Sequence, residues 1–213
     1  MFVVAVANSK GGCGKTTIAT HLAARFARQG FVTTLLDLDR QGAAIEWVRR
    51  RSERLPEIRA LSAEADDFTV PRGSPYVVID VPAGPRRKEL DAVIKAADLL
   101  VVPVQASLFD QDGTRYFLEL AAECKQVRKG RMPIALVANR VRAKAVGNAQ
   151  FESFLAGLGH PVVTRLSDSP HYPNAARTGV TLFDQPEARV RARLAEWSPL
   201  LAMVNEVITS DRA

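Results

Sequence analysis

Residues 9–17 of this chain read Ser-Lys-Gly-Gly-Cys-Gly-Lys-Thr-Thr, and no other stretch restricts its possible folds as much. An apolar run over 2–7 precedes the stretch, and a helical pattern over 15–29 follows it. Strand, glycine-rich loop and helix in that order build a cradle for phosphate. The glycines let backbone N–H groups converge on one anion, and the helix presents its positive N-terminus to it. Gly11, Gly12, Cys13, Gly14, Lys15, Thr16 and Thr17 are the expected contacts. Lys15 would reach the β- and γ-phosphates, and the Thr16 hydroxyl would join the shell of a Mg²⁺ ion. A strict G-x-x-x-x-G-K-[ST] pattern misses the chain, because Ser9 stands where its first glycine belongs and a second lysine, Lys10, follows.

The rest of the sequence alternates apolar, β-branched runs with helical patterns. Strands are expected at 2–7, 32–37, 57–61, 76–80, 99–104, 133–138 and 161–165, and helices at 15–29, 41–54, 87–96, 111–128, 147–157 and 187–208. Continuous apolar runs such as Tyr76–Asp80 are buried on both faces. Such alternation implies right-handed βαβ units, so the expected class is α/β, a mostly parallel twisted sheet with helices on both faces. No linker or repeat divides 1–213, which reads as one domain. The last helical pattern is expected to break at Pro199.

Composition narrows the setting. Of 213 residues 47% are hydrophobic and 24% charged, enough apolar material for a large core. No apolar run approaches a membrane span, and the chain is strand-like from Phe2, unlike a signal peptide. Cys13 and Cys124 lack metal-type spacing, and a disulfide at Cys13 would obstruct the loop, so a reducing cytoplasm is expected. The formal charge of +6 comes mainly from arginine clusters. An acidic polymer, bound through its phosphates, accounts for such an excess. Helix-surface arginines that only aid solubility account for it equally well.

The pattern K-G-G-x-G-K-[ST]-T resembles the deviant Walker A loop of the ParA/MinD group of P-loop ATPases, and the likeness implies a P-loop NTPase fold. In that group the early lysine crosses a dimer interface to the partner's nucleotide, which gives Lys10 that role. Leu35–Ala44 resembles the family's D-x-D-P-Q segment. By that match Asp39 orients the attacking water, and Asp37 supports the Mg²⁺ shell. An acidic strand end also serves simply to cap the next helix. Arg40 replaces the usual proline. Tyr76–Asp80 followed by Val-Pro-Ala-Gly84 resembles Walker B and switch II, with Asp80 on Mg²⁺ and Gly84 near the γ-phosphate. Pro133–Arg140 resembles the strand whose asparagine, here Asn139, bonds the adenine edge. Asp110 falls where relatives carry a polar residue near the dimer face.

The resemblance implies a short ParA-type ATPase that lacks an N-terminal helix-turn-helix. ATP and Mg²⁺ would close a homodimer that binds DNA without sequence preference, and a ParB-like or cargo-adaptor protein would stimulate slow hydrolysis. Segregation of a plasmid or chromosomal locus, or positioning of a protein cargo, would follow, in the cytoplasm on the nucleoid. The residues chosen for DNA are Arg142, Lys144, Arg165, Arg189 and Arg191. A MinD-like, membrane-cycling ATPase is the alternative. It needs a basic amphipathic C-terminal helix, whereas the apolar positions of 188–208 suit packing on the sheet. A nitrogenase-type reductase lacks the cysteines it requires, and an ATP-dependent ligase leaves the arginine excess unexplained.

Overall fold

The computed structural model describes residues 1–142 and 147–210. Its strands are β1 (Phe2–Val6), β2 (Thr33–Asp37), β3 (Arg59–Ser62), β4 (Tyr76–Asp80), β5 (Leu99–Val104), β6 (Ile134–Val141) and β7 (Val162–Ser167). They form one sheet in the order β3-β2-β4-β1-β5-β6-β7, parallel at every pairing. This is the α/β, P-loop NTPase architecture that the alternation and the loop predict.

Helices α1 (Lys15–Arg28), α2 (Ala43–Arg49) and α8 (Glu187–Ser210) cover one face, burying Ile18, Leu22, Phe26, Trp47, Trp197 and Leu200. Helices α3 (Arg87–Ala96), α4 (Leu108–Ala122) and α6 (Asn148–Ala156) cover the other through Leu90, Ile94, Phe117, Phe151 and Leu155. The period of two divides each strand between these cores: Val77 and Ile79 of β4 enter the second, Tyr76 and Val78 the first. Each such aliphatic side chain contributes roughly 1.5–3 kcal/mol by leaving water. The sheet is therefore a rigid floor, and the connections leaving β1 and β4 pass to opposite faces. A crevice opens at such a point, beyond the carboxyl ends of the strands.

Four elements depart from the sequence reading, the first being the helix expected over 41–54, which as α2 spans only Ala43–Arg49. The helix expected over 111–128 is split, because Cys124 takes an extended conformation and separates α4 from the short α5 (Lys125–Arg128). Its side chain is fully buried in the core. A short helix, α7 (His171–Ala176), followed by a 3₁₀ turn (Leu182–Asp184), was not expected; Pro173 inside α7 hides it from pattern reading. Finally, α8 runs unbroken through Pro199. That proline is exposed, as is Ala195, whose carbonyl loses its donor there, so the helix continues on its solvent side without leaving a buried group unpaired.

Candidate functional site

Strand register assembles the site. In β2 and β4, Asp37 lies directly opposite Asp80, and Val6 at the end of β1 lies opposite Asp80 on its other side. The loop over 7–14 leaves β1 at this point and returns into α1. Gly12 (φ 77°) and Gly14 (φ 101°) adopt left-handed backbone conformations, which lets the loop turn tightly enough to enter the helix. Gly14 serves a second purpose: a Cβ there would stand 2.1 Å from Nδ2 of Asn139.

Side chains from outside the loop fix its shape. The buried Asn8 amide donates to the Pro103 carbonyl (2.7 Å) and to Thr114 Oγ1 (3.0 Å), tying the loop entrance to β5 and α4. Gln105 Nε2 donates to the Gly12 carbonyl at 2.9 Å. Asn139 Nδ2 donates to the Cys13 carbonyl at 2.7 Å, while its Oδ1 accepts the Arg140 N–H. Both ends of that amide are thus engaged within the chain, and the expected adenine-reading residue holds the phosphate loop. Asn8 and Gln105 were not singled out from sequence. Their position immediately beside a glycine loop and a strand end is the signal that would have found them.

The two lysines of the loop are sorted differently. Lys15 is buried, and its ammonium donates to the Lys10 carbonyl at 2.9 Å. Lys10 itself is half-exposed, and its ammonium has no ion pair or hydrogen bond among the described residues. Cys13 is buried beneath the loop with its thiol on the same carbonyl, and burial pushes its pKa up, partly offset by Lys15. A protonated, covered thiol is a packing group rather than a nucleophile.

The carboxylates divide their work in a way the sequence left open. Asp37 is fully buried. Its Oδ1 accepts the Asp39 N–H (3.0 Å), and its Oδ2 accepts those of Ala44 (2.9 Å) and Ile45 (3.2 Å). Burial raises its pKa, and these backbone donors lower it in part. The carboxylate thus caps α2 and cinches the loop before it, the capping reading of an acidic strand end, while lying opposite Asp80, where it was expected to support the Mg²⁺ shell. Asp39 stands half-exposed, with Oδ1 accepting the Gln41 N–H and Oδ2 without a partner among the described residues. Arg40, expected from the resemblance to be a proline, bonds Glu64 across the surface at 3.0–3.1 Å.

Asp80 is the exception. It is 1% exposed, and among the described residues its two oxygens are the buried side-chain polar atoms with no hydrogen-bond partner. Burial raises its pKa to about 7, against a lowering influence of the nearby Thr16 hydroxyl and a further rise from Asp37. An unpaired buried carboxylate is costly unless a cation neutralises it. Beside the Thr16 hydroxyl, at the mouth of a phosphate loop, this donor set fits Mg²⁺, which takes one or two protein oxygens and completes its shell with phosphate and water. Gly84 (φ 61°) brings the segment after β4 close to the loop, with a Cβ position 3.8 Å from the Ser9 carbonyl.

Two clefts flank the loop. One, of about 400 Å³, is lined by Thr17, Asn139, Arg140, Ser169, Pro170 and Tyr172 and suits a planar, partly apolar ring. Arg140, the sole non-glycine residue at positive φ (53°) among those described, bends the chain over it. The other, of about 440 Å³, lies between Asp39, Glu64, Gly84 and Arg86. Asp110 sits in the first turn of α4 and bonds Ser107, the residue that caps that helix.

The arginines chosen for nucleic acid do not all share a face, since Arg165 turns towards α6 and Arg189 and Arg191 lie on α8 across the sheet, and three are already paired. Arg142 bonds Asp168 (2.7 Å), Arg165 bonds Glu152 (2.8 Å), and Arg191 lies 3.3 Å from Glu187. Arg189 is exposed and forms no ion pair among the described residues. Lys144 lies outside the described residues. Exposed pairs of this kind are worth little and exchange readily for phosphate.

Over residues 4–182 the sequence matches the family described as CobQ/CobB/MinD/ParA nucleotide binding domain. The chain is 31% identical over 217 residues to Maintenance of carboxysome distribution protein A of Halothiobacillus neapolitanus, spanning 98% of this chain and 97% of that protein. It is 31% identical over 163 residues to the chromosome-partitioning ATPase Soj of Thermus thermophilus, spanning 61% and 64%. Among solved structures, Cyanothece McdA in complex with ATP matches with a TM-score of 0.74 over 98% of this chain and 96% of that one. At 16% identity, that likeness concerns the fold.

Proposed function

We propose that this chain, which belongs to the CobQ/CobB/MinD/ParA nucleotide-binding family, is an ATP-hydrolysing positioning protein whose ATP-bound homodimer carries or spaces a cargo over DNA. The observation that carries the reading is the sorting of the two loop lysines: Lys15 is buried and bonded to its own loop, whereas Lys10 is half-exposed, its stem against α4 and its ammonium without a partner among the described residues. A phosphate loop that serves one subunit needs Lys15 only.

The chain binds ATP with Mg²⁺. Thr16 and Asp80 are the residues that would hold the ion, which supplies positive charge to the phosphate oxygens. Lys15 exchanges the Lys10 carbonyl for phosphate, so its hydrogen bond is replaced rather than lost. The backbone of residues 11–17 receives the remaining oxygens. Asp39, with one oxygen unpartnered among the described residues and the other fixed by Gln41, accepts a proton from the attacking water as the water oxygen bonds the γ-phosphorus and ADP departs. Asp37 keeps Asp39 in place through the backbone of the same loop. In phosphoryl transfer such positioning is most of the protein's contribution. Turnover is proposed to be slow until a partner protein, ParB-like or a cargo adaptor, engages the dimer.

The end-to-end likeness to a protein named for carboxysome distribution favours a large protein body as cargo over a DNA locus. DNA would be the track, held through exposed arginines such as Arg189 and through Arg142, Arg165 and Arg191 once these release their carboxylates. The membrane-cycling alternative receives less support. Val190, Trp197, Leu200 and Val204 of α8 are buried against the sheet, so its apolar face is already used, and among the described residues no helix is long and apolar enough to cross a membrane.

Retention on non-specific duplex DNA tests the reading, measured without nucleotide, with ADP and with a slowly hydrolysed ATP analogue at two salt concentrations. Binding confined to the ATP state and weakened by salt is expected. Equal binding in all three states, or none, would overturn the DNA-track reading.

A further inference from the structure

Helix α4 contains a glycine at its sixth residue, Gly113, although glycine is the poorest helix former after proline. Its backbone is ordinary helix, so conformation does not require it. Packing does. A Cβ at Gly113 would lie 2.5 Å from Cγ and 2.7 Å from Cδ of Lys10, and 3.3 Å from Ser9 Oγ. The Gly113 carbonyl accepts the Ser9 hydroxyl at 2.6 Å, and Thr114 accepts the Asn8 amide at 3.0 Å. Residues 8–10 therefore rest on 113–114, and the stem of Lys10 lies in the notch left by the missing side chain. Only the stem is held, since the ammonium beyond it has no partner among the described residues.

We propose that Gly113 is a positioning residue for Lys10, its notch fixing the lysine stem so that the ammonium is presented in advance to the nucleotide of a second copy of this chain. The inference rests on the trans role assigned to Lys10 above. A free lysine side chain loses most of its rotamer freedom when its charge is fixed in an interface, and a stem already seated has lost much of it before the subunits meet. Filling the notch returns that cost to dimerisation. It leaves the contacts that Lys15 and the loop backbone make with their own nucleotide unaltered.

The test is a double-mutant cycle on ATP-analogue-dependent dimerisation, measured by sedimentation, with monomer nucleotide affinity and melting temperature read alongside. Gly113→Ala is expected to bind nucleotide as the wild type does, to melt no lower, and to dimerise about tenfold more weakly. Lys10→Ala is expected to weaken the dimer as well, and Gly113→Ala to add nothing in that background. If Lys10→Ala weakens the dimer while Gly113→Ala does not, the seat is refuted and the trans lysine stands. The seat is equally refuted if Gly113→Ala costs the same factor with and without Lys10, or lowers the melting temperature. If Lys10→Ala dimerises normally, the trans reading falls, and the seat with it.

Discussion

Replacing Asp80 by asparagine should stabilise the protein in the absence of magnesium, and more so at high pH. Burial holds the folded carboxyl at about pKa 7, against 3.8 when exposed. Below pH 4 it carries its proton in both states and costs nothing. Between pH 4 and 7 the unfolded chain releases the proton while the folded chain keeps it, so stability falls as pH rises, and above 7 the penalty is complete. From about pH 5.5 to pH 8 that penalty grows by about 2 kcal/mol, at 1.36 kcal/mol for each pH unit up to the folded pKa. Asparagine occupies the same volume without titrating. Its own fixed cost cancels when the difference between variant and wild type is compared at the two pH values, as does every other titrating group. Thermal melts in chelator should therefore show the variant's advantage growing by about 4–8 °C between those pH values, at 2–4 °C per kcal/mol for a chain of this size. The same variant should lose the further stabilisation that Mg²⁺ adds to bound ATP. An advantage that is independent of pH, or that shrinks as pH rises, would refute the argument that Asp80 is a buried carboxylate held for a cation.

Asp39→Ala should reduce phosphate release by at least about a hundredfold while ATP-dependent dimers accumulate; wild-type turnover would remove Asp39 from the reaction. Gly14→Ala meets both a left-handed backbone and the Asn139 amide, so nucleotide binding by calorimetry should be lost, whereas Gly11→Ala, with nothing within 4 Å and no positive φ, should keep it. Arg189→Glu with Arg191→Glu should abolish ATP-dependent retention on DNA in a gel shift and leave ATP binding intact. His21 is buried between Thr17 and Leu182 and stacked on Trp197, and burial lowers its pKa to about 4. Stability should accordingly fall as pH drops from 6.5 towards 4, where the unfolded chain takes up the proton first, and melts of Asp80→Asn, in which the opposing carboxylate is gone, should show that fall most steeply.

What the sequence disclosed and what it hid follow one physical division. Strand ends and the glycine loop are written locally: period, apolar run and turn chemistry lie within a few residues of one another, and β1, β2, β4 and β5 fall within one residue of their expected bounds. Thr16, Asp39 and Asp80 come to one crevice because parallel register aligns strand ends. Contacts made across the fold left no such trace. Asn139 reaches the loop from 126 residues away, and Lys10 rests on α4 from more than a hundred. Asp37 shows the limit most clearly, since an aspartate at the end of a buried strand reads equally as a ligand or a cap. The three backbone N–H groups on its oxygens, which the strand pattern does not disclose, show the capping role.

The same inventory bears on how nucleotide and metal divide the binding energy. Lys15, Asn139, Gln105 and Asp37 all have partners within the chain, so a phosphate or a base that recruits Lys15 or Asn139 exchanges one hydrogen bond for another, and the net gain from each exchange is modest. Asp80 exchanges nothing. A cation placed against it removes a desolvation cost that the fold otherwise bears, and that relief is added in full to the binding of whatever brings the cation. The balance favours Mg·ATP as a unit over ATP alone. It also places Asp80 where the order of ligands is decided: a nucleotide that arrives without magnesium leaves the most costly group of the site as it was.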